Sequence, residues 1–134
     1  MNEPRWIDRR ALLLLHAEGL AEHGGPEGVR DAGLLESALD RPRNLAAYEP
    51  ESDLARLAAC YAVGIARNHP FVDGNKRAAF LSLGLFLALN GQRLVADKVD
   101  AVRVMIDVAA GSMDEITLAV WIRANSRAVS GIRE

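Results

Sequence analysis

Cysteine is almost missing from this chain of 134 residues: Cys60 stands alone. One thiol excludes a disulfide framework and a cysteine metal cage. Cys60 also lies in an apolar stretch of helical spacing, so a buried, inert thiol is expected. Aromatic residues make up only 5%, and no segment alternates convincingly between apolar and polar, which leaves little room for strands. The 3 histidines, His16, His23 and His69, are too scattered for a zinc-ligand spacing. An excess of one charge is missing too. A net charge of −2 and a pI near 5.9 argue against a chain that lives on nucleic acid, although the whole-chain sum can hide a local basic patch. The apolar runs Ala11–Leu15 and Ala78–Leu89 fall short of the ~20 residues a bilayer crossing needs, and no signal peptide is visible. A soluble protein of the reducing cytoplasm is the expectation, with no membrane and no direct nucleic-acid binding.

What is present is helix. The length suits a single domain spanning 1–134, able to bury roughly two-thirds of its unfolded surface without metal or disulfide. A first helix is predicted from about Trp6 to Glu22, closing at Gly24 and Gly25. A loop from Pro26 to Asp31 precedes a short helix carrying Leu34, Leu35, Ala38 and Leu39, which Pro42 should stop; Asn44–Glu51 then reads as an irregular connection. A third helix from about Ser52 to Asn68 carries Leu54, Leu57, Tyr61 and Ile65, beside a small-residue row of Ala58, Ala62 and Ala66 that permits close approach. Pro70 should end it at His69, since the residue before proline avoids α geometry. The next helix runs from Gly74 to Asn90 with Gly91 as its cap. Its stretch from Ala78 to Leu89 has almost no polar face, so it is predicted to be the central helix of a bundle. A possibly extended piece at Arg93–Val95 leads to a helix near Lys98–Ala110 with Val99, Val102, Ile106 and Ala109 on one face. Ser112 and Glu115 have capping-box spacing and should open a last helix that reaches about Arg127. One all-α domain, a compact helical bundle, is the fold class.

Between the third and fourth helices stands HPFVDGNKR, from His69 to Arg77. It gathers an imidazole, a carboxylate, a glycine, a carboxamide and two cations at one helix start. Helix N-termini attract anions through unpaired N–H groups and the helix dipole. Gly74 lets backbone approach a phosphate, and Asn75 offers a carboxamide donor. Lys76 adds a point charge and Arg77 a bidentate fork. Asp73 can cap the helix or, beside a nucleotide, hold Mg2+. His69 can accept a proton from a hydroxyl near neutral pH, as in-line phosphoryl transfer requires. By chemistry alone, an ordinary capped helix start with solvated cations explains the same residues equally well.

The motif is similar to the signature of the Fic/Doc superfamily, and it matches every position of the Doc-type form H-x-F-x-D-G-N-K-R. Upstream, GGPEGVRDAGLLESALDRP, Gly24 to Pro42, resembles the N-terminal segment of death-on-curing (Doc) toxins. The resemblance covers nearly the whole chain. Fic adenylyltransferases usually carry Gly at the position of Lys76 and a second Arg at that of Phe80; here both are absent, as in Doc. The resemblance therefore implies a toxin of a type II toxin–antitoxin pair that moves the γ-phosphate of ATP to a threonine of elongation factor Tu. In that scheme His69 is the base, Asp73 holds Mg2+, Gly74 and Asn75 form the anion cradle, and Lys76 and Arg77 meet the phosphates. Phe71 should anchor the loop in the core. A Phd-like antitoxin whose C-terminal segment folds on binding is the implied partner. No inhibitory S/T-x-x-x-E-G/N helix is found. Nucleotidyl transfer by the same residues and an inactive antitoxin-binding module are the rival readings.

Outside the motif, Arg30 and Asp31 fit either a contact to nucleotide or target, or a local loop salt bridge and helix cap. His16, His23, Trp6 and Trp121 read as packing or surface residues. Arg123, Arg127 and Arg133 make a mildly basic, solvated tail.

Overall fold

A computed structural model describes residues 3–129, and Arg133 lies outside them. Among the described residues the chain forms six α-helices and a two-stranded ribbon: α1 (Arg9–His23), α2 (Ala32–Tyr48), α3 (Leu54–Asn68), α4 (Asn75–Leu89), β1 (Gln92–Leu94), α5 (Lys98–Ala110), α6 (Glu115–Ala124) and β2 (Ser126–Ala128). The all-helical class is as the sequence implies. No helix among the described residues is long and apolar enough to cross a membrane.

Short acidic side chains start most of the helices. Asp31 accepts from the Leu34 N–H at 2.9 Å, Asp53 from Arg56 at 2.9 Å and Asp114 from Thr117 at 2.8 Å. Each satisfies one of the donors that a helix start leaves unpaired. The expected capping box at Ser112 and Glu115 does not form. The Ser112 hydroxyl instead donates to the Asp107 carbonyl at the end of α5, which leaves Asp114 as the cap. Likewise Asp8 and Asp53, rather than Trp6 and Ser52, begin α1 and α3.

The surrounded helix is α3, not α4. From Leu57 to Ala66 every residue of α3 is buried, because it packs against α2, α4, α5 and α6 together. Gly64 makes the closest approach: a Cβ there would stand 3.4 Å from the Ala38 Cβ of α2. α4 lies against α3 through Ala78, Ala79, Ser82, Leu83, Phe86 and Leu87, while its other side is half-buried. A helix apolar all round thus marks contact on several sides, not centrality.

Three further expectations are corrected. Pro42 does not stop α2, which continues to Tyr48 and absorbs the predicted irregular segment. The missing N–H costs one helical bond, but Pro42 is buried with Leu35, Ala38 and Leu39, and that packing against α3 outweighs the loss. On α5 the buried residues are Ala101, Val104, Met105 and Val108, so the face with Val99, Val102 and Ile106 looks outward. The last helix ends at Ala124 because 126–128 pair antiparallel with β1, Arg93 opposite Arg127.

Cys60 is buried, and burial first of all pushes its thiol up to about 12, so it is inert as expected. Trp6 packs on Phe86 with ring centroids 5.9 Å apart, and Trp121 donates to Asp100 at 2.9 Å. Arg127 lies in β2, where its guanidinium donates to the carbonyls of Ala124 and Ser126. Arg123 is not free but grips Asp53 with two bonds, 2.7 and 3.0 Å, tying the end of α6 to the start of α3. These bonds hold the Asp53 carboxyl below its ordinary range. A depressed folded value stabilises above the unfolded value of ~3.9 and is lost as pH falls through the folded one. Asp53→Asn keeps a capping oxygen and should lower stability at pH 7 by about 1 kcal/mol or less, the usual range for exposed pairs. In pH-dependent thermal melts the gap to wild type should close in acid below ~4.

Candidate functional site

The motif joins the C-terminus of α3 to the N-terminus of α4, so the negative end of one helix and the positive end of the next meet at one loop. His69 ends α3 in the left-handed region, φ 51° and ψ 54°, and is the only non-glycine residue with positive φ among those described. Left-handed geometry replaces the extended form expected before Pro70. Such a conformation costs on the order of 1–3 kcal/mol and persists only where surroundings impose it. The surroundings here are specific. Arg30 donates Nε to the His69 carbonyl at 2.8 Å and a terminal nitrogen to the Asn68 carbonyl at 3.1 Å. The backbone N–H groups of Arg30 and Asp31 both donate to the Pro70 carbonyl, and Val29 bridges Phe71.

Arg30 therefore holds the backbone of His69, and Asp31 caps α2; among the described residues neither forms the loop salt bridge considered from the sequence. The His69 ring is exposed and makes no hydrogen bond among the described residues.

Phe71 is buried in the core, as expected. Asn75 fastens the loop around it: its Oδ1 accepts from the Phe71 N–H at 2.9 Å, and its Nδ2 donates to the Phe71 carbonyl at 3.0 Å. The carboxamide expected to face phosphate is thus turned toward the loop backbone. Asp73 does not cap α4; Gly74 occupies that position, left-handed at φ 73°, with no side-chain cap. The backbone N–H groups of Gly74, Asn75, Lys76 and Arg77 make no hydrogen bond among the described residues.

These groups border a cavity of about 530 Å³ that also touches His23, Gly24, His69, Val72, Asp73 and Ala109. Lys76 and Arg77 are exposed, and neither has a carboxylate partner among the described residues. Unpaired cations beside unpaired N–H groups have the chemistry to hold a polyanion. The structure thus brings His69, Asp73, Gly74, Asn75, Lys76 and Arg77 to one cavity, and leaves Arg30 and Asp31 behind it as supports. His23 stands at the rim, its Nδ1 3.0 Å from the Gly19 carbonyl.

A single carboxylate, Asp73, faces the cavity. No group of three or more His, Cys, Asp or Glu side chains gathers for a metal among the described residues. That donor set fits Mg2+, which takes one or two carboxylates and completes its shell with phosphate oxygens and water. Gly25 sets the position of this carboxylate: at φ 116°, a Cβ there would run into Asp73 Oδ2. Gly25→Ala should destabilise the fold by about 1–2 kcal/mol through its positive φ. It should also displace Asp73. In a Mg2+ titration of nucleotide binding, the midpoint should rise about tenfold, the equivalent of ~1.4 kcal/mol; an unchanged midpoint would show that the carboxylate is not held there.

His16 packs, as one of its two expected roles has it, and it also reaches the loop backbone, which the sequence did not indicate. It is 4% exposed, its ring stacks on Phe71 at 3.9 Å between centroids, and its Nε2 lies 2.8 Å from the Asp73 carbonyl. The available signal was its place between Leu12 and Leu20 in the buried stripe of α1, where a polar residue needs a partner.

The helix pair, the strained histidine and the anion-ready helix start define a recognisable class. The chain belongs to the Fic/Doc family: the family model described as "Fic/DOC family" matches residues 6–87, which include the whole loop. Two similar proteins carry the name Doc. "Protein kinase doc" of Escherichia phage P1 is 34% identical over 119 residues, covering 89% of this chain and 94% of that protein. "Toxin Doc" of Mycolicibacterium smegmatis is 39% identical over 93 residues, 69% of each.

Proposed function

We propose that this protein is a Doc-type toxin kinase that moves the γ-phosphate of ATP to a protein hydroxyl. The carrying observation is the α4 start: four unpaired N–H groups, Lys76 and Arg77 on the same cavity as the His69 ring. The N–H groups and the cations neutralise the charge spread over the transferring phosphoryl group. His69 takes the proton of the attacking hydroxyl, whose oxygen bonds the γ-phosphorus as the bond to the bridging oxygen breaks and ADP leaves. Asp73 would hold Mg2+, which neutralises phosphate charge when bound. The name of the phage relative, a protein kinase, supports phosphate as the transferred group.

Phe80 supports it also. The position that carries a second Arg in adenylyltransferases instead lines an apolar groove on the far side of Lys76 and Arg77. The target implied by the resemblance is a threonine of elongation factor Tu, which would stop translation in the cytoplasm.

That groove, about 480 Å³, has Phe80, Val102, Met105 and Ile106 along it and Lys98 and Arg77 beside it. It suits an amphipathic, acidic segment of a Phd-like antitoxin that folds on binding. Lys76 and Arg77 border both the groove and the cavity. A carboxylate of such a peptide would compete with phosphate for the same two cations.

Purified protein incubated with translation extract and ATP labelled at the γ- or the α-phosphate tests the reading. Label on a protein from γ-labelled ATP alone is expected. Label from α-labelled ATP alone would establish nucleotidyl transfer instead. Growth inhibition unaltered by His69→Ala would point to a non-catalytic binding module.

A further inference from the structure

The α4 start works as an anion site only if its first peptide plane is turned the right way, and one buried side chain outside the motif controls that plane. His16 Nε2 lies 2.8 Å from the Asp73 carbonyl oxygen. A carbonyl only accepts, so Nε2 carries a proton and donates it. Peptide bonds here are trans, and in a trans peptide the C=O and the following N–H point in opposite directions. Drawing the Asp73 carbonyl inward to α1 therefore turns the Gly74 N–H outward to the cavity.

The fit leaves little freedom. The His16 ring is stacked on Phe71 at 3.9 Å and 21°, and a Cβ on Gly74 would stand 3.4 Å from Nε2. Phe71 is in turn held on both backbone atoms by Asn75. Nothing in the loop itself fixes the Asp73–Gly74 plane, since Gly74 is left-handed and α4 has no side-chain cap. A peptide preceding glycine can rotate between conformations at little cost.

We propose that His16 is a positioning residue of the phosphate cradle, acting through the Asp73–Gly74 peptide and touching no substrate. The inference rests on the proposed use of the α4 start for phosphate. It separates the two properties of the imidazole. The ring supplies packing on Phe71, and the Nε2–H supplies orientation.

Two variants divide these contributions. His16→Phe keeps a flat ring on Phe71 and loses the donor. His16→Gln loses the ring, and its side-chain amide nitrogen reaches about as far as Nε2. Stability, read by thermal melting, should fall in the order wild type, His16→Phe, His16→Gln. Anion binding should follow the other order: wild type, His16→Gln, His16→Phe.

The probe is inorganic tripolyphosphate, followed by the amide signals of Gly74 and Asn75 in nitrogen-15 NMR spectra. Wild type and His16→Gln should show saturable shifts with dissociation constants within about threefold, and His16→Phe one at least about tenfold weaker. The turnover of γ-labelled ATP should follow the same order. Binding that instead tracks melting temperature would make His16 a packing residue only and overturn the proposal. So would a wild-type Gly74 amide that ignores tripolyphosphate. Wild type that binds tripolyphosphate but transfers no label would remove the kinase reading and leave the role of His16 intact.

Discussion

Replacing His69 with alanine should lower phosphoryl transfer about 10²- to 10⁴-fold, the range for loss of a positioned general base. The melting temperature should hardly move. The ring is exposed, stacks on nothing and makes no hydrogen bond among the described residues, so its removal opens no cavity and orphans no donor. The backbone is a separate matter. Its left-handed geometry is held by Arg30 and by the pairing of the Gly28–Asp31 segment with the loop, and alanine tolerates that geometry no better than histidine. ATP affinity should also survive, because the groups proposed to meet the phosphates lie on α4. Transfer from γ-labelled ATP, ATP binding and thermal melting form the test. Undiminished transfer by His69→Ala would remove the histidine from the mechanism.

The second large effect is expected far from the cavity. Glu115 opens α6, and its two carboxylate oxygens are divided between Arg41 of α2, at 3.0 Å, and Arg56 of α3. Its side chain is only 15% exposed and that of Arg56 19%. One carboxylate thereby joins three helices, and water screens its pair with Arg56 poorly, while the Arg41 side chain is 44% exposed. Its negative charge also suits the positive start of α6. Glu115→Gln should destabilise the protein by about 1–3 kcal/mol, because the part-buried Arg56 guanidinium loses its counter-charge, while the exposed Arg41 is screened by water. Against a typical total of ~5–15 kcal/mol this is a large fraction. The urea midpoint should fall, while the specific activity of the folded fraction stays at the wild-type level. A loss under about 0.5 kcal/mol would mean the pair is screened like a surface pair.

Local features of the sequence singled out His69, Asp73, Gly74, Asn75, Lys76 and Arg77, which the structure brings to one cavity. The loop His69–Arg77, the flanking helices and the glycine-started anion site are written in contiguous residues, whose chemistry is short-range. Helix existence was legible for the same reason, since spacing along a helix repeats every few residues. The misreadings have a common cause. Pro42, Ser112 and the outward face of α5 each depend on what another element supplies. Pro42 is tolerated because α3 covers it, and Val99 and Val102 stay exposed because the core takes the opposite side of α5. By the sequence, Asn75 offers a donor to phosphate, and Arg30 fits either a contact to nucleotide or target or a local loop role. Both are bonded to loop backbone, a demand that arises only once the chain folds back on itself.

By itself, the sequence determined the helical class, the family and the loop that borders the cavity, because periodicity and a contiguous motif need no partner to be read. Only the tertiary structure decided that α3 is the hub and that His69 is left-handed under the hold of Arg30. It alone brought His16, 57 positions from Asp73, to the underside of the cradle. Those facts are contacts between distant segments. The buried His16 ring needs such a partner because an unpaired polar group inside the protein is costly.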